Sequence, residues 1–65
     1  MEVQLNGAMV TTSAPHLMAL VKAQGLDPGS VIIEYNHNVI KQDAWDKTFI
    51  RPGDILELLS FVGGG

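Results

Sequence analysis

No cysteine occurs in the 65 residues, which excludes a disulfide framework and a thiolate metal site. A chain this short must then hold together by packing alone, and its lack of thiols fits a reducing cytoplasm. Charge is sparse as well. Four Lys+Arg against seven Asp+Glu give a formal net charge of -3, and Lys22, Lys41, Lys47 and Arg51 are scattered, so no basic patch matches a phosphate backbone and nucleic acid is not an expected partner. Long apolar runs are missing too: nothing approaches the ~20 residues of a membrane span. The start, Met1-Glu2-Val3-Gln4, lacks the basic segment and apolar stretch of a signal peptide. The expectation is a soluble, cytoplasmic protein with no membrane partner.

What is present points to a compact fold. With 46% hydrophobic and 17% charged residues, the chain reads as one globular domain and not as a disordered segment. The core must be small, because a domain of this size buries only ~60% of its unfolded surface.

The opening "EVQLNGAMVT" alternates Val3/Leu5 against Glu2/Gln4 and turns on Asn6-Gly7, the signal of a type I′ hairpin. In "TTSAPHLMALVKAQG", Leu17, Leu20 and Val21 recur at helical spacing. Ser13 or Thr12 is available as N-cap, Pro15 is tolerated in the first turn, and Gly25 stands at the C′ position. "LDPGS" suggests a type II turn with Pro28 and Gly29 at its centre. "VIIEYN" is a strand, and Asn36-His37-Asn38 turns it into the short Val39-Ile40 strand. In "KQDAWDKTFI", Asp43 is placed to cap a single helical or 3₁₀ turn holding Ala44 and Trp45, with Thr48-Phe49-Ile50 extended after it. A second Pro-Gly turn, "RPGD", leads into the last strand, "ILELLSFV".

One helix with a single apolar stripe can cover one face of such a sheet, giving an α+β arrangement of two layers. The last strand shows the consequence. At period 2, Leu56, Leu58, Ser60 and Val62 share one face, and Ile55, Glu57, Leu59 and Phe61 share the other. If the helix covers Leu56 and Leu58, then Leu59 and Phe61 emerge in water beside Glu57, as part of an apolar patch of the kind that marks partner surfaces. The alternative is a central strand covered on both faces. Beyond this strand the chain runs into Gly63, Gly64 and Gly65, the residues of greatest backbone entropy.

Other chemistry-bearing residues find simpler roles. His16 and His37 are far apart in sequence with no carboxylate or thiol at paired spacing, so they read as structural or solvated. Asp43, Asp46 and Asp54 read as a cap, a surface charge and a turn residue. Trp45 with Phe49 reads as a lid on the core, and Met9, Met18 and the helix leucines as core residues. Gly25, Gly29 and Gly53 do not form a phosphate-cradling loop. No internal active site, metal site or bound cofactor is expected.

The ending "RPGDILELLSFVGGG", from Arg51 to Gly65, resembles that of the ThiS family, the sulfur carrier proteins of thiamine biosynthesis. There a Gly-Asp turn precedes an apolar strand and a terminal glycine run. The Asn6-Gly7 hairpin, the spacing of Asn38, Val39, Ile40 and Trp45, and the length match that family too. One departure is "SAPHL" at the helix start, where relatives often carry an acidic residue near a Thr cap. The resemblance implies a ubiquitin-like β-grasp roll, with a mixed four- to five-stranded sheet and one main helix on one face. It divides the chain into a domain over 1–62 and a flexible glycine tail over 63–65.

The resemblance also implies a function. The Gly65 carboxylate would be adenylated with ATP by an E1-like enzyme, then converted to a thiocarboxylate whose sulfur goes to thiazole synthase. The ATP serves the activating partner, and a sulfur donor such as a cysteine desulfurase feeds the system. On this reading the chain is a covalently modified co-substrate and not an enzyme. Gly63 and Gly64 enter partner active sites, while Leu59, Phe61 and Val62 dock. A carboxylate becomes a good electrophile only when its oxygen is made a leaving group, which the acyl adenylate supplies. A terminal glycine leaves the carbonyl unhindered. Two alternatives remain open at this point: a carrier for molybdopterin or another sulfurated metabolite, and a ubiquitin-like binding module that is never activated.

Overall fold

The computed structural model describes residues 1–61; Val62, Gly63, Gly64 and Gly65 lie outside the described residues. Five strands, β1 (Glu2–Leu5), β2 (Ala8–Thr11), β3 (Val31–Tyr35), β4 (Asn38–Ile40) and β5 (Ile55–Ser60), form one sheet in the order β2-β1-β5-β3-β4. β5 runs parallel to β1, and the other pairs are antiparallel. The last strand in sequence therefore occupies the centre of the sheet. One helix, α1 (Leu17–Ala23), covers one face.

Both hairpins follow from local chemistry. Asn6 (φ 51) and Gly7 (φ 84) give the two positive φ values of a type I′ turn. Asn36 (φ 49) and His37 (φ 74) do the same between β3 and β4, where Tyr35 faces Asn38. Gly25 (φ 72) ends α1 as the C′ residue of a Schellman motif: its N–H donates to Lys22 O at 3.0 Å, and Leu26 N–H donates to Val21 O at 3.2 Å. Gly53 (φ 85) sits at the second central position of the Arg51–Asp54 turn, and Asp54 N–H donates back to Arg51 O at 3.1 Å.

The stripe of α1 buries Leu17, Leu20 and Val21 against Val3, Leu5, Val31, Ile33, Leu56 and Leu58, the alternate residues of the three central strands. Trp45 closes one end of this core from a 3₁₀ segment, Gln42–Lys47, and its indole N–H donates to Ile40 O at 2.9 Å. A buried tryptophan with its one polar atom satisfied contributes packing without a desolvation penalty.

Several local expectations are corrected. The N-cap of α1 is His16, whose Nδ1 accepts from Ala19 N–H at 3.1 Å. Thr12 instead accepts from Ala14 N–H at 3.0 Å, and Pro15 lies in a bend ahead of the helix, with Ile50 N–H donating to Pro15 O at 3.0 Å and Leu17 N–H to Thr48 O at 3.1 Å. These contacts, together with the His16–Phe49 bridge, delay the helix past Pro15. Pro28–Ser30 is a 3₁₀ turn, not a type II turn, because the Asp27 carboxylate accepts from Gly29 N–H at 3.1 Å and caps it. The 3₁₀ segment around Trp45 has Lys41 at its N-cap position with no side-chain cap, so Asp43 lies inside the first turn. Phe49 and Met9 are 62% and 61% exposed and belong to no core. The β1–β2 register sets Met9 beside Gln4, on the face away from α1. Met18 is partly buried against the core.

Candidate functional site

The site is built around β5, because that strand delivers the chain to the glycines. Its two neighbours hold it unequally. β3 pairs with it over its whole length, from Tyr35↔Leu56 to Val31↔Ser60, and Phe61 N–H carries the ladder one residue further by donating to Ser30 O at 2.9 Å. β1 pairs with it only at Gln4↔Ile55 and Leu5↔Leu56 before turning away at Asn6.

The Asn6 side chain fills the gap. Its Oδ1 accepts from Leu58 N–H at 2.8 Å and its Nδ2 donates to Leu58 O at 3.3 Å, replacing the next rung of a β ladder. Asn36 works from the other side: its backbone N–H donates to Ile55 O at 2.7 Å and its Oδ1 accepts from Ile55 N–H at 2.8 Å. The hairpin asparagines therefore clamp β5 near its start and near its end.

The start of β5 is further fixed by Asp54, a buried carboxylate. It accepts from Arg51 N–H at 2.8 Å and from Asn36 Nδ2 at 3.2 Å. Burial pushes this carboxyl up. The opposing Arg51 backbone N–H, the Tyr35 hydroxyl, the Asn36 amide and the Arg51 charge outweigh it and hold the group below its ordinary value. Tyr35, whose hydroxyl donates to Phe49 O at 3.2 Å, is shifted upward by burial and by the neighbouring Asp54 carboxylate, against a smaller opposing pull from Arg51. Asp54 is thus more than the turn residue expected from the sequence: it ties the turn, β5 and the β3–β4 hairpin together.

Toward the other end of β5, Leu56 and Leu58 are buried while Leu59 and Phe61 are 54% and 48% exposed. This is the division of faces that the alternation predicts. Leu59 stands directly opposite Ile32, itself 44% exposed, so three apolar side chains share the end of the open face from which the chain leaves the sheet. Ile32 was missed, although the period-2 alternation of "VIIEY" separates it from Val31 and Ile33. The remaining predicted site residues, Val62, Gly63, Gly64 and Gly65, lie outside the described residues.

His16 caps α1, and His37 is exposed in the β3–β4 turn. Asp43 and Asp46 are exposed on the 3₁₀ segment. No group of three or more His, Cys, Asp or Glu residues among the described residues is arranged to hold a metal ion. No helix of the described residues is long and apolar enough to cross a membrane.

Comparison with known proteins agrees with this geometry. The crystal structure of a thiamine biosynthesis protein (ThiS) from Geobacter metallireducens superposes with a TM-score of 0.84 at 30% identity, covering all of both chains. The solution structure of a thiamine biosynthesis protein from that organism gives a TM-score of 0.81, covering all of this chain and 88% of the other. A thiazole synthase of Paramagnetospirillum magneticum is 30% identical over 66 residues, which is all of this chain but only 20% of that protein's length. The protein ycf40 of Trieres chinensis is 29% identical over 55 residues, covering 85% of this chain and 75% of its own. The model of the ThiS family matches residues 3–65, glycine run included, and the chain belongs to that family.

Proposed function

We propose that this chain is a sulfur carrier for thiazole formation in thiamine biosynthesis, with Gly65 as the residue that is covalently changed. The match of the ThiS family over residues 3–65 carries this reading. In the proposed sequence an E1-like enzyme transfers AMP from ATP to the Gly65 carboxylate, releasing pyrophosphate. The terminal sulfur of a donor's persulfide, such as that of a cysteine desulfurase, then displaces AMP to give an acyl disulfide, and a thiol attacking the donor-side sulfur releases the thiocarboxylate and forms a disulfide with the donor. Thiazole synthase consumes the sulfur.

The chain contributes an acyl group and a way to present it, and the catalytic groups belong to its partners. Residues 1–62 act as the grip and 63–65 as the arm. Gly63 and Gly64 have no side chains to obstruct a narrow active site, and Leu59, Phe61 and Val62 make the adjoining docking contacts. Two exposed apolar side chains beside the exit point support the grip, since such patches mark partner surfaces. The whole-chain similarity to one stretch of a thiazole synthase favours thiazole over another sulfurated product. These reactions would take place in the cytoplasm.

Intact-protein mass spectrometry after incubation with ATP, the cognate activating enzyme and a sulfur source tests the proposal. An adenylate and then an oxygen-for-sulfur exchange at Gly65 are expected. A terminus left unmodified under these conditions, with the enzyme active on another carrier, refutes the reading. Deletion of Gly65 abolishes transfer without changing the melting midpoint.

A further inference from the structure

The open face of the sheet holds a pairing that folding alone does not favour. In the β3–β5 ladder Glu34 stands directly opposite Glu57. The bonds from Asn36 N–H to Ile55 O and from Phe61 N–H to Ser30 O set the alternation of that ladder, and they make Glu34/Glu57 a hydrogen-bonded pair with Cα atoms about 5.5 Å apart. Like charges directly opposite on one face are destabilising. The carboxylate hydrogen bonds of the described residues go to Asp27 and Asp54, and none goes to Glu34 or Glu57. Glu57 is exposed and Glu34 half-buried. One rung toward the exit of the chain lie Leu59 and Ile32, and on the other side of Glu34 lies exposed Val39.

We propose that the Glu34–Glu57 pair is a receptor for an arginine or lysine on the proposed activating enzyme, seated beside the apolar contact made by Leu59 and Ile32. The inference rests on the carrier reading above and names what the grip recognises. Charge complementarity selects this occupant. A second copy of the chain would set acid against acid at a net charge of -3, and a nucleic acid or an anionic membrane would be repelled for the same reason. A guanidinium between the two carboxylates relieves their repulsion and gains charge-assisted bonds in a setting that docking makes drier. The free protein therefore carries a strain that the complex removes, so the same pair lowers stability and raises affinity.

That opposition of signs is the test. Full-length wild type, Glu57→Gln and Glu34→Gln are compared in thermal melts and in calorimetric titration against the cognate activating enzyme at low and physiological salt. Each neutral variant is expected to melt about 1 to 5 °C higher. Each is also expected to bind about tenfold or more weakly, with a smaller salt dependence. Glu57→Lys should bind more weakly still, while Leu59→Ser should lose affinity without gaining stability. Unchanged or tighter binding by both neutral variants overturns the proposal. So does a loss of stability alongside the loss of binding, which would make the pair structural. A wild-type dimer in sedimentation that Glu57→Gln tightens would assign the face to a second copy instead. If wild type neither binds the enzyme nor forms an adenylate, the carrier reading falls and this proposal with it. Normal adenylation with indifferent Glu variants removes the proposal alone.

Discussion

The clamp at Asn6 makes a quantitative prediction. Asn6 has two jobs: it adopts the left-handed backbone of the β1–β2 turn, and its amide replaces a missing rung on β5 at Leu58. Asn6→Gly keeps the turn and removes the amide. Two hydrogen bonds are lost, one short at 2.8 Å and one long at 3.3 Å, and at a net ~0.5 to 1.5 kcal/mol each the expected cost is ~1 to 3 kcal/mol. Asn6→Ala removes the amide and also forces a Cβ into the left-handed region, adding ~1 kcal/mol. A domain of this length has a total stability of only ~3 to 10 kcal/mol, so both losses are large. Urea unfolding gives the free energies, and hydrogen exchange at the Leu58 amide reports the local effect. The Gly variant should exchange faster at Leu58 while its turn residues keep their shifts, and its melting midpoint should fall by about 4 to 24 °C. An Asn6→Gly variant within ~0.3 kcal/mol of wild type, with Leu58 protection unchanged, would refute the clamp, since mutational effects of that size are indistinguishable from a neutral surface change.

Two further outcomes follow from the same geometry. Asp54 is held below the value it has in the unfolded chain, so the unfolded state binds the proton more readily, and the stability this group provides is present above the ordinary carboxylate range and lost as pH falls through the folded value. Melting midpoints measured between about pH 5 and 2 should therefore drop less steeply for Asp54→Asn than for wild type, and parallel curves would exclude the role. His16→Ala should cost ~1 kcal/mol in chemical denaturation through loss of the N-cap of α1, and His16→Asp, which restores an acceptor, should recover most of it; equal losses in both variants would mean that the ring acts through its contact with Phe49, at 6.2 Å between centroids, and not as a cap.

The amino-acid order by itself determined the elements whose causes are local. Positive-φ turns at Asn6-Gly7 and Asn36-His37, the Gly25 helix stop, the stripe of Leu17, Leu20 and Val21, and the two faces of β5 all depend on neighbours within a few residues, where side-chain type dictates backbone conformation. The exposure of Leu59 and Phe61 was legible for the same reason, since one helix covers one face. Tertiary contacts decided the rest. His16 caps α1 because residues 15–17 are pinned against 48–50, a pairing more than thirty residues apart in sequence. Phe49 is displaced from the core, and the register of β1 and β2 turns Met9 outward. Ile32 joins Leu59, and Glu34 meets Glu57, only because β5 enters the sheet beside β3. Side chains brought together across strands obey the register, and the register is set by the pairing of distant segments, which no local pattern encodes.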